Sequence, residues 1–207
     1  MLTFLIGFTL IAVLVGIFLD ARRRTQKHVH CIAKERSSII SESGATASIG
    51  VFHSPGDTTI MLGASEELGV MYYRLLCKGE VINRSRFNLF RIARAELHVD
   101  FAPLDLGSYS RAKPGANVAT EVASRELAKY TLEELRALRR VVMRIFFIDE
   151  KRKIKRLEII VMRSDIEMHR SSCMELFREA IWWTVFLNCA GEKARDAQKR
   201  KEELEKK

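Results

Sequence analysis

The chain begins with an unbroken apolar pattern. Residues Leu2 to Leu19 read LTFLIGFTLIAVLVGIFL and include no charged side chain. At about 1.5 Å per residue, a helix of this length nearly spans a hydrocarbon layer of about 30 Å. The pattern therefore predicts a single transmembrane helix, with residues 1–21 as a membrane anchor.

Polar residues dominate the next stretch, and short apolar segments follow it. Residues 22–48 are basic and polar, and they predict a juxtamembrane linker or a weak first strand. Beyond them, apolar segments separated by Ser-Pro-Gly-Asp and Lys-Gly turns are typical of antiparallel strands and hairpins. Such strands are predicted at Ile49–Phe52, Thr58–Leu62, Val70–Cys77 and Glu80–Asn83.

Strict alternation marks one further strand. Between residues 94 and 101, apolar side chains alternate with polar ones. Because neighbouring side chains of a strand point to opposite faces, this pattern predicts a half-buried strand. His98 belongs to the polar set, so we expect it on the exposed face.

The second half of the chain predicts helices around a hairpin. One or two helices are expected from Val118 to Arg140, where Thr131 and Glu134 match a capping box. Strands at Val141–Ile148 and Ile154–Met162 should pair across a charged turn.

A buried amphipathic helix is expected to close the body of the protein. Ser172 and Glu175 suggest a second capping box, and the helix then carries an apolar face to Leu187. The charged tail at 191–207 should continue this helix into solvent. The body of the protein is thus predicted at 49–190.

Charge indicates how the anchor is oriented. The net charge is +9, and a basic cluster directly follows the apolar stretch, whereas no basic side chain precedes it. A cleaved signal peptide would show basic residues before the stretch and small residues at a cleavage site after it. Since positive charge resists translocation, we expect the N-terminus outside and the body in the cytoplasm.

Two basic clusters are candidate sites for a membrane surface or an acidic partner. A Lys or Arg near an anionic surface contributes about 1 kcal/mol to binding. Alternatively, the first cluster only determines the orientation of the anchor, and the second is a solvated hairpin tip. The candidates are Arg22, Arg23, Arg24, Lys27, Lys151, Arg152, Lys153, Lys155 and Arg156.

Other kinds of chemistry find little support in the sequence. The four cysteines are scattered along the chain, which is typical of reduced thiols. His28, His30 and Cys31 lie close together, but the sequence shows no second cluster of metal ligands. We therefore predict neither a metal site nor a cofactor. Signals for nucleic-acid binding are absent. So are a phosphate-binding glycine loop, a GxSxG elbow and an HExxH helix. We therefore expect no enzyme, although distant residues can converge, which leaves an anchored enzyme as an alternative.

The order of elements resembles a known superfold. A hairpin, the segment Phe87-Asn88-Leu89-Phe90-Arg91-Ile92, a strand pair and an aromatic helix from Phe177 to Phe186 are similar to bacterial pleckstrin-homology-like proteins with an N-terminal anchor. The likeness covers roughly residues 57–190. It implies an α+β fold, in which a transmembrane helix precedes an antiparallel-sheet roll with a C-terminal amphipathic helix.

That resemblance also implies a function. It points to a membrane-anchored binding or scaffold module, with the membrane and a protein as partners, including a larger membrane complex. Relatives in eukaryotes often bind phosphoinositides or peptides, but this carries over to no residue here. A second likeness is local: Gly7 to Val15 resembles the processing site of type IV pilins and pseudopilins, with Ala12 where that family has glutamate. It would imply an exported body.

Overall fold

The computed structural model describes residues 2–43, 47–54, 58–107, 113–163 and 170–205. At residues 2–12, 54, 170 and 171 it describes the backbone only. The helices are α1 (Leu2–Ser43), α2 (Gly115–Leu127), α3 (Leu132–Ala137) and α4 (Arg170–Glu205). The strands are β1 (Ser48–Ser54), β2 (Thr58–Ser65), β3 (Val70–Cys77), β4 (Glu80–Asn88), β5 (Ile92–Val99), β6 (Ala102–Pro103), β7 (Arg140–Ile148) and β8 (Ile154–Arg163).

Strands β1 to β4 form sheet I, an antiparallel meander in chain order. The β3–β4 turn is made by Lys78 and Gly79, whose φ angles are 51° and 76°. Positive φ at both central residues is the geometry of a type I′ turn, whose twist matches that of the flanking strands. Glycine adopts this conformation readily, whereas for Lys78 it is strained.

The second sheet, sheet II, has the strand order β6-β5-β7-β8 and is also antiparallel. Helix α4 packs against β5, β7 and β8 of this sheet and against α2. Asn188 of α4 fixes the contact, because its amide donates to the Ala95 carbonyl oxygen at 2.9 Å and accepts from the Ala95 N–H at 2.7 Å. The polar backbone of β5 is thereby satisfied where the helix crosses it.

The central core lies where α4 meets both sheets. Its largest side chains from the helix are Phe177, Trp183 and Phe186, each 2% exposed or less. Sheet I contributes Phe52 and sheet II contributes Ile145 to the same cluster. Burial of aromatic and aliphatic surface on this scale is the main stabilising contribution to the fold.

Helix α1 differs from the expected linker at residues 22–48. The structure has a continuous helix to Ser43, and its C-terminal part packs on the outer face of sheet I. Ile39 is fully buried there with Met61 and Tyr72. The linker prediction was wrong because serine and β-branched isoleucine favour helices weakly, and packing on the sheet overrides that preference.

Most local predictions are confirmed. The two hairpins around 78–79 and 149–153 form as expected, as do β1, β2 and the strand over 94–99. Two helices occupy 115–137, and the Thr131–Glu134 capping box has both of its hydrogen bonds. The helix also extends through the charged tail to Glu205. The turn at 55–57 lies outside the described residues.

Three local predictions were wrong. Ser172 is already helical in α4, so it is not an N-cap. His98 is 8% exposed, because Glu96 and Arg144 cover it with polar contacts of 3.0 and 3.3 Å. Phe101 lies beyond the end of β5 and is 70% exposed.

The predicted membrane segment lies in the N-terminal part of α1. Among the residues that the structure describes, no helix is long and apolar enough to cross a membrane. The predicted span Leu2–Leu19 is therefore not supported by the structure, and its side chains at 2–12 lie outside the described part. Those that are described are exposed, including Ile17 and Phe18 at 62% and 66%.

Candidate functional site

A buried ionic cluster joins α1 to sheet I. The carboxylate of Glu35 is 1% exposed and accepts hydrogen bonds from Nε and Nη2 of Arg84 at 3.0 and 2.5 Å. Arg74 Nε lies 3.3 Å from the same carboxylate, and Arg74 Nη2 bonds Glu42 at 3.2 Å. Hydrogen bonding from Arg84 lowers the pKa of the Glu35 carboxyl, and together with the positive charges of Arg84 and Arg74 it outweighs the opposing effect of burial.

His28 ties the same helix to the turns of sheet I. Its Nδ1 accepts from the Gly79 N–H at 3.1 Å, and its Nε2 lies 2.8 Å from the Thr59 hydroxyl. Since Nδ1 is an acceptor, the proton of a neutral ring is on Nε2 and is donated to Thr59. Four turns of helix between His28 and Glu42 are thus held at both ends.

The first predicted basic cluster lies where α1 leaves the sheet. Arg22, Arg23, Arg24 and Lys27 are all exposed. Arg24 pairs with Asp20 at 2.7 Å and Lys27 with Glu80 at 2.9 Å, so two of the four charges have acidic neighbours. A cleft of about 450 Å³ lies beside Arg24 and Lys27, and its lining is Ala21, Arg24, Thr25, Lys27, His28 and Lys78. Lys78 was missed by sequence reasoning, since only the packing of α1 brings its turn there.

The second basic cluster occupies the β7–β8 hairpin. Its members are exposed, namely Lys151, Arg152, Lys153, Lys155 and Arg156. Glu150 in the same turn lies 3.8 Å from Arg91, three residues beyond the end of β4, whereas Lys27 contacts Glu80 at the start of β4. The structure therefore does not bring the two clusters together: they adjoin opposite ends of a nine-residue strand, about 30 Å apart.

A second cleft, the aromatic cleft, lies between β1, α2 and α4. Its volume is about 480 Å³, and its lining is Ser48, Ile49, Thr120, Ala123, Ser124, Glu175, Arg178, Glu179, Trp182 and Trp183. The half-buried Trp182 ring stacks on Phe186 with centroids 4.8 Å apart, and its indole N–H donates to Thr120 at 3.1 Å. A cleft of this size, in which aromatic side chains and several polar groups converge, is a candidate ligand site.

Gly50 of β1 leaves room for two polar groups of α4, the Trp183 indole N–H and the Glu179 carboxyl, in the wall of this cleft. A Cβ atom at this position would lie 2.1 Å from Trp183 Nε1 and 2.9 Å from Glu179 Oε1. The missing side chain lets the helix lie directly on strand β1. The aromatic cleft therefore depends on glycine at position 50.

Glu179 is the titratable group held in that wall. Burial raises the pKa of its carboxyl, while hydrogen bonds from the Val51 N–H and the Trp183 indole oppose the shift. Perturbed carboxyls in clefts are frequent at functional sites. Sequence reasoning assigned Trp182 and Trp183 only to an apolar helix face and did not select Glu179, since no local motif links α4 to β1.

The described residues contain no group of three His, Cys, Asp or Glu side chains placed to hold a metal ion. His28, considered above with His30 and Cys31, is engaged with the turns of sheet I. Comparison with known proteins gives no further assignment: no family model, curated protein or solved structure matches this chain.

Proposed function

We propose that this protein is a single-pass, membrane-anchored binding module, whose body lies in the cytoplasm and recruits a protein partner. The observation that carries the proposal is the continuity of α1. One helix links an apolar N-terminal stretch to a C-terminal part fixed on sheet I by Glu35 and Ile39. An anchor and a body joined in this way would move as one unit.

The exposed apolar side chains of α1 support the membrane part of the proposal. Val13, Leu14 and Val15 are 50% to 61% exposed. A contiguous apolar surface of this kind is typical of a membrane or protein contact. The basic residues from Arg22 to Lys27 directly follow it, as expected of a cytoplasmic flank.

The β-sheet arrangement supports a binding role. Antiparallel strands, a final hairpin of β7 and β8 and then one long helix agree with the order of elements that the pleckstrin-homology resemblance implies. With α1 near the membrane normal, the hairpin at Lys151–Lys153 would lie about 30 Å beyond the basic residues at the membrane. That cluster would then face a partner and not the lipid.

The membrane part is tested by fractionation of the full chain. We expect it to remain with membranes after alkaline carbonate treatment. The double variant Leu10→Arg, Leu14→Arg should be released, since both positions lie near the middle of the apolar stretch and each arginine near a span centre costs about 3 kcal/mol. The matched control is the double variant Ile154→Arg, Leu204→Arg, which changes two residues outside α1 that are 69% and 73% exposed. This control should remain with the membranes. A wild-type chain in the soluble fraction would contradict the proposal.

An anchored enzyme is the second candidate, and Glu179 is the observation that favours it. A carboxyl with a raised pKa in an aromatic cleft resembles a general acid. For any compound that the cleft is found to bind, an enzyme predicts that Glu179→Gln abolishes turnover while Trp182 still reports binding. A binding module predicts no turnover by the wild type.

A further inference from the structure

We propose that the aromatic cleft binds an arginine side chain of the protein partner; this inference rests on the proposed function as a binding module. Both tryptophans of the chain, Trp182 and Trp183, line this cleft. No catalytic step is implied.

Charge is the first argument for a cationic ligand. The chain has a net charge of +9, yet the lining of the aromatic cleft holds two carboxyls, Glu175 and Glu179, and one guanidinium, Arg178. With both carboxyls ionised, the cleft is a locally acidic site on a basic protein. Electrostatic complementarity therefore favours a cation and disfavours the anions that the rest of the surface attracts.

The aromatic wall narrows the choice among cations. Trp182 is half-buried, and Phe186 stacks on it with the two rings inclined by 10°. A guanidinium is planar, is less strongly hydrated than an ammonium group and stacks on indole faces. Arginine therefore fits this wall better than lysine.

The carboxyl of Glu179 has acceptor capacity left for such a ligand. It accepts hydrogen bonds from the Val51 N–H and the Trp183 indole N–H. An ionised carboxylate offers about four acceptor positions, so positions remain for the forked N–H groups of a guanidinium. Arg178 lies in the same lining and would compete with the incoming cation.

The test is a fluorescence titration of the full chain in nonionic detergent. Because both tryptophans line the cleft, their emission reports on this site. The probes are the capped peptides Gly-Arg-Gly and Gly-citrulline-Gly, which differ in charge but hardly in shape. We expect the arginine peptide to bind about tenfold more tightly, the effect of one charge-assisted hydrogen bond.

Three variants and a control distinguish the proposed contacts from general effects. Glu175→Gln and Glu179→Gln should each weaken arginine binding about tenfold, and Arg178→Gln should tighten it. The control Glu203→Gln, on the exposed tail of α4, should change nothing. Glu175 is exposed, so its variant decides the matter even where Glu179→Gln perturbs folding.

Equal binding of the two peptides, no emission change at about 10 mM peptide, or unaltered binding in Glu175→Gln would each overturn the inference. Membrane retention is measured separately and does not depend on the cleft. Loss of retention with intact arginine binding would contradict the anchor alone, whereas the reverse result would contradict the arginine site alone.

Discussion

At the scale of single residues, the joint between α1 and sheet I depends on one buried carboxylate. Removing Glu35 would take from Arg74, whose side chain is 4% exposed, its only buried counter-charge among the ion pairs of the described residues and leave the exposed Glu42. We expect Glu35→Ala to lower the free energy of unfolding by about 3–5 kcal/mol, the usual cost of breaking a buried pair. Urea unfolding would measure this. The control Glu80→Ala removes an exposed partner of Lys27 and should leave stability unchanged.

The same carboxylate predicts the response to pH. The pKa of Glu35 lies below its ordinary value of 4.5 in the folded state, so the unfolded chain binds the proton more tightly. The stabilisation that ionised Glu35 gives to the folded state is complete at pH values above its ordinary pKa. It is lost as the pH falls through the folded-state pKa. The stability difference between wild type and Glu35→Gln should therefore shrink below about pH 4.5. A difference that grows with acidity would contradict this assignment.

Gly50 provides a second residue-scale prediction. In Gly50→Ala the new methyl group must displace Trp183 or Glu179, because its Cβ would lie within 2.1 and 2.9 Å of their polar atoms. We expect a loss of about 1–3 kcal/mol and a shift in tryptophan emission. Gly16→Ala is the matched control, since nothing lies within 4 Å of its added Cβ. An unshifted melting temperature in Gly50→Ala would argue against the close packing of α4 on β1.

Residue-level features were predictable only where they are local. The capping box of Thr131 and Glu134 uses neighbours within one turn, so the sequence sufficed. The contacts of Glu35 with Arg74, and of Glu179 with Val51, join residues that are remote in the chain. No periodicity encodes such pairs, which depend on how the elements pack.

At the scale of elements, α1 is the main departure from expectation. Its buried positions Glu35, Ile39 and Ser43 recur every four residues, which is one face of a helix. One of the three is charged, and neighbouring serines obscure the stripe. The hairpins, in contrast, were readable because their strands carry long apolar runs separated by turn residues.

Ile39 allows the docking of α1 to be tested. Ile39 is fully buried against sheet I, whereas its neighbour Ile40 is 43% exposed. Ile39→Ala should cost about 2–5 kcal/mol and increase hydrogen exchange of amides 28–43, while β7 stays protected. Ile40→Ala should leave exchange unchanged. Equal exchange in the two variants would contradict a docked helix.

At the scale of the whole molecule, the order of the main elements beyond α1 was predictable, but their arrangement was not. The meander of sheet I, the β7–β8 hairpin and the final helix follow from local patterns, whereas the aromatic cleft arises where β1, α2 and α4 meet. Separation of the basic clusters at opposite ends of β4 is likewise a tertiary property. A sequence that shows both clusters gives no distance between them.

The measurement that tests the central claim most directly is labelling of single cysteines in intact cells with a membrane-impermeant thiol reagent. The background replaces Cys31, Cys77, Cys173 and Cys189 by alanine, and one cysteine is introduced as Thr3→Cys or Glu203→Cys. We expect labelling at position 3 and, without permeabilisation, none at position 203. Labelling at position 203 in intact cells would contradict a cytoplasmic body and favour the exported, pilin-like alternative.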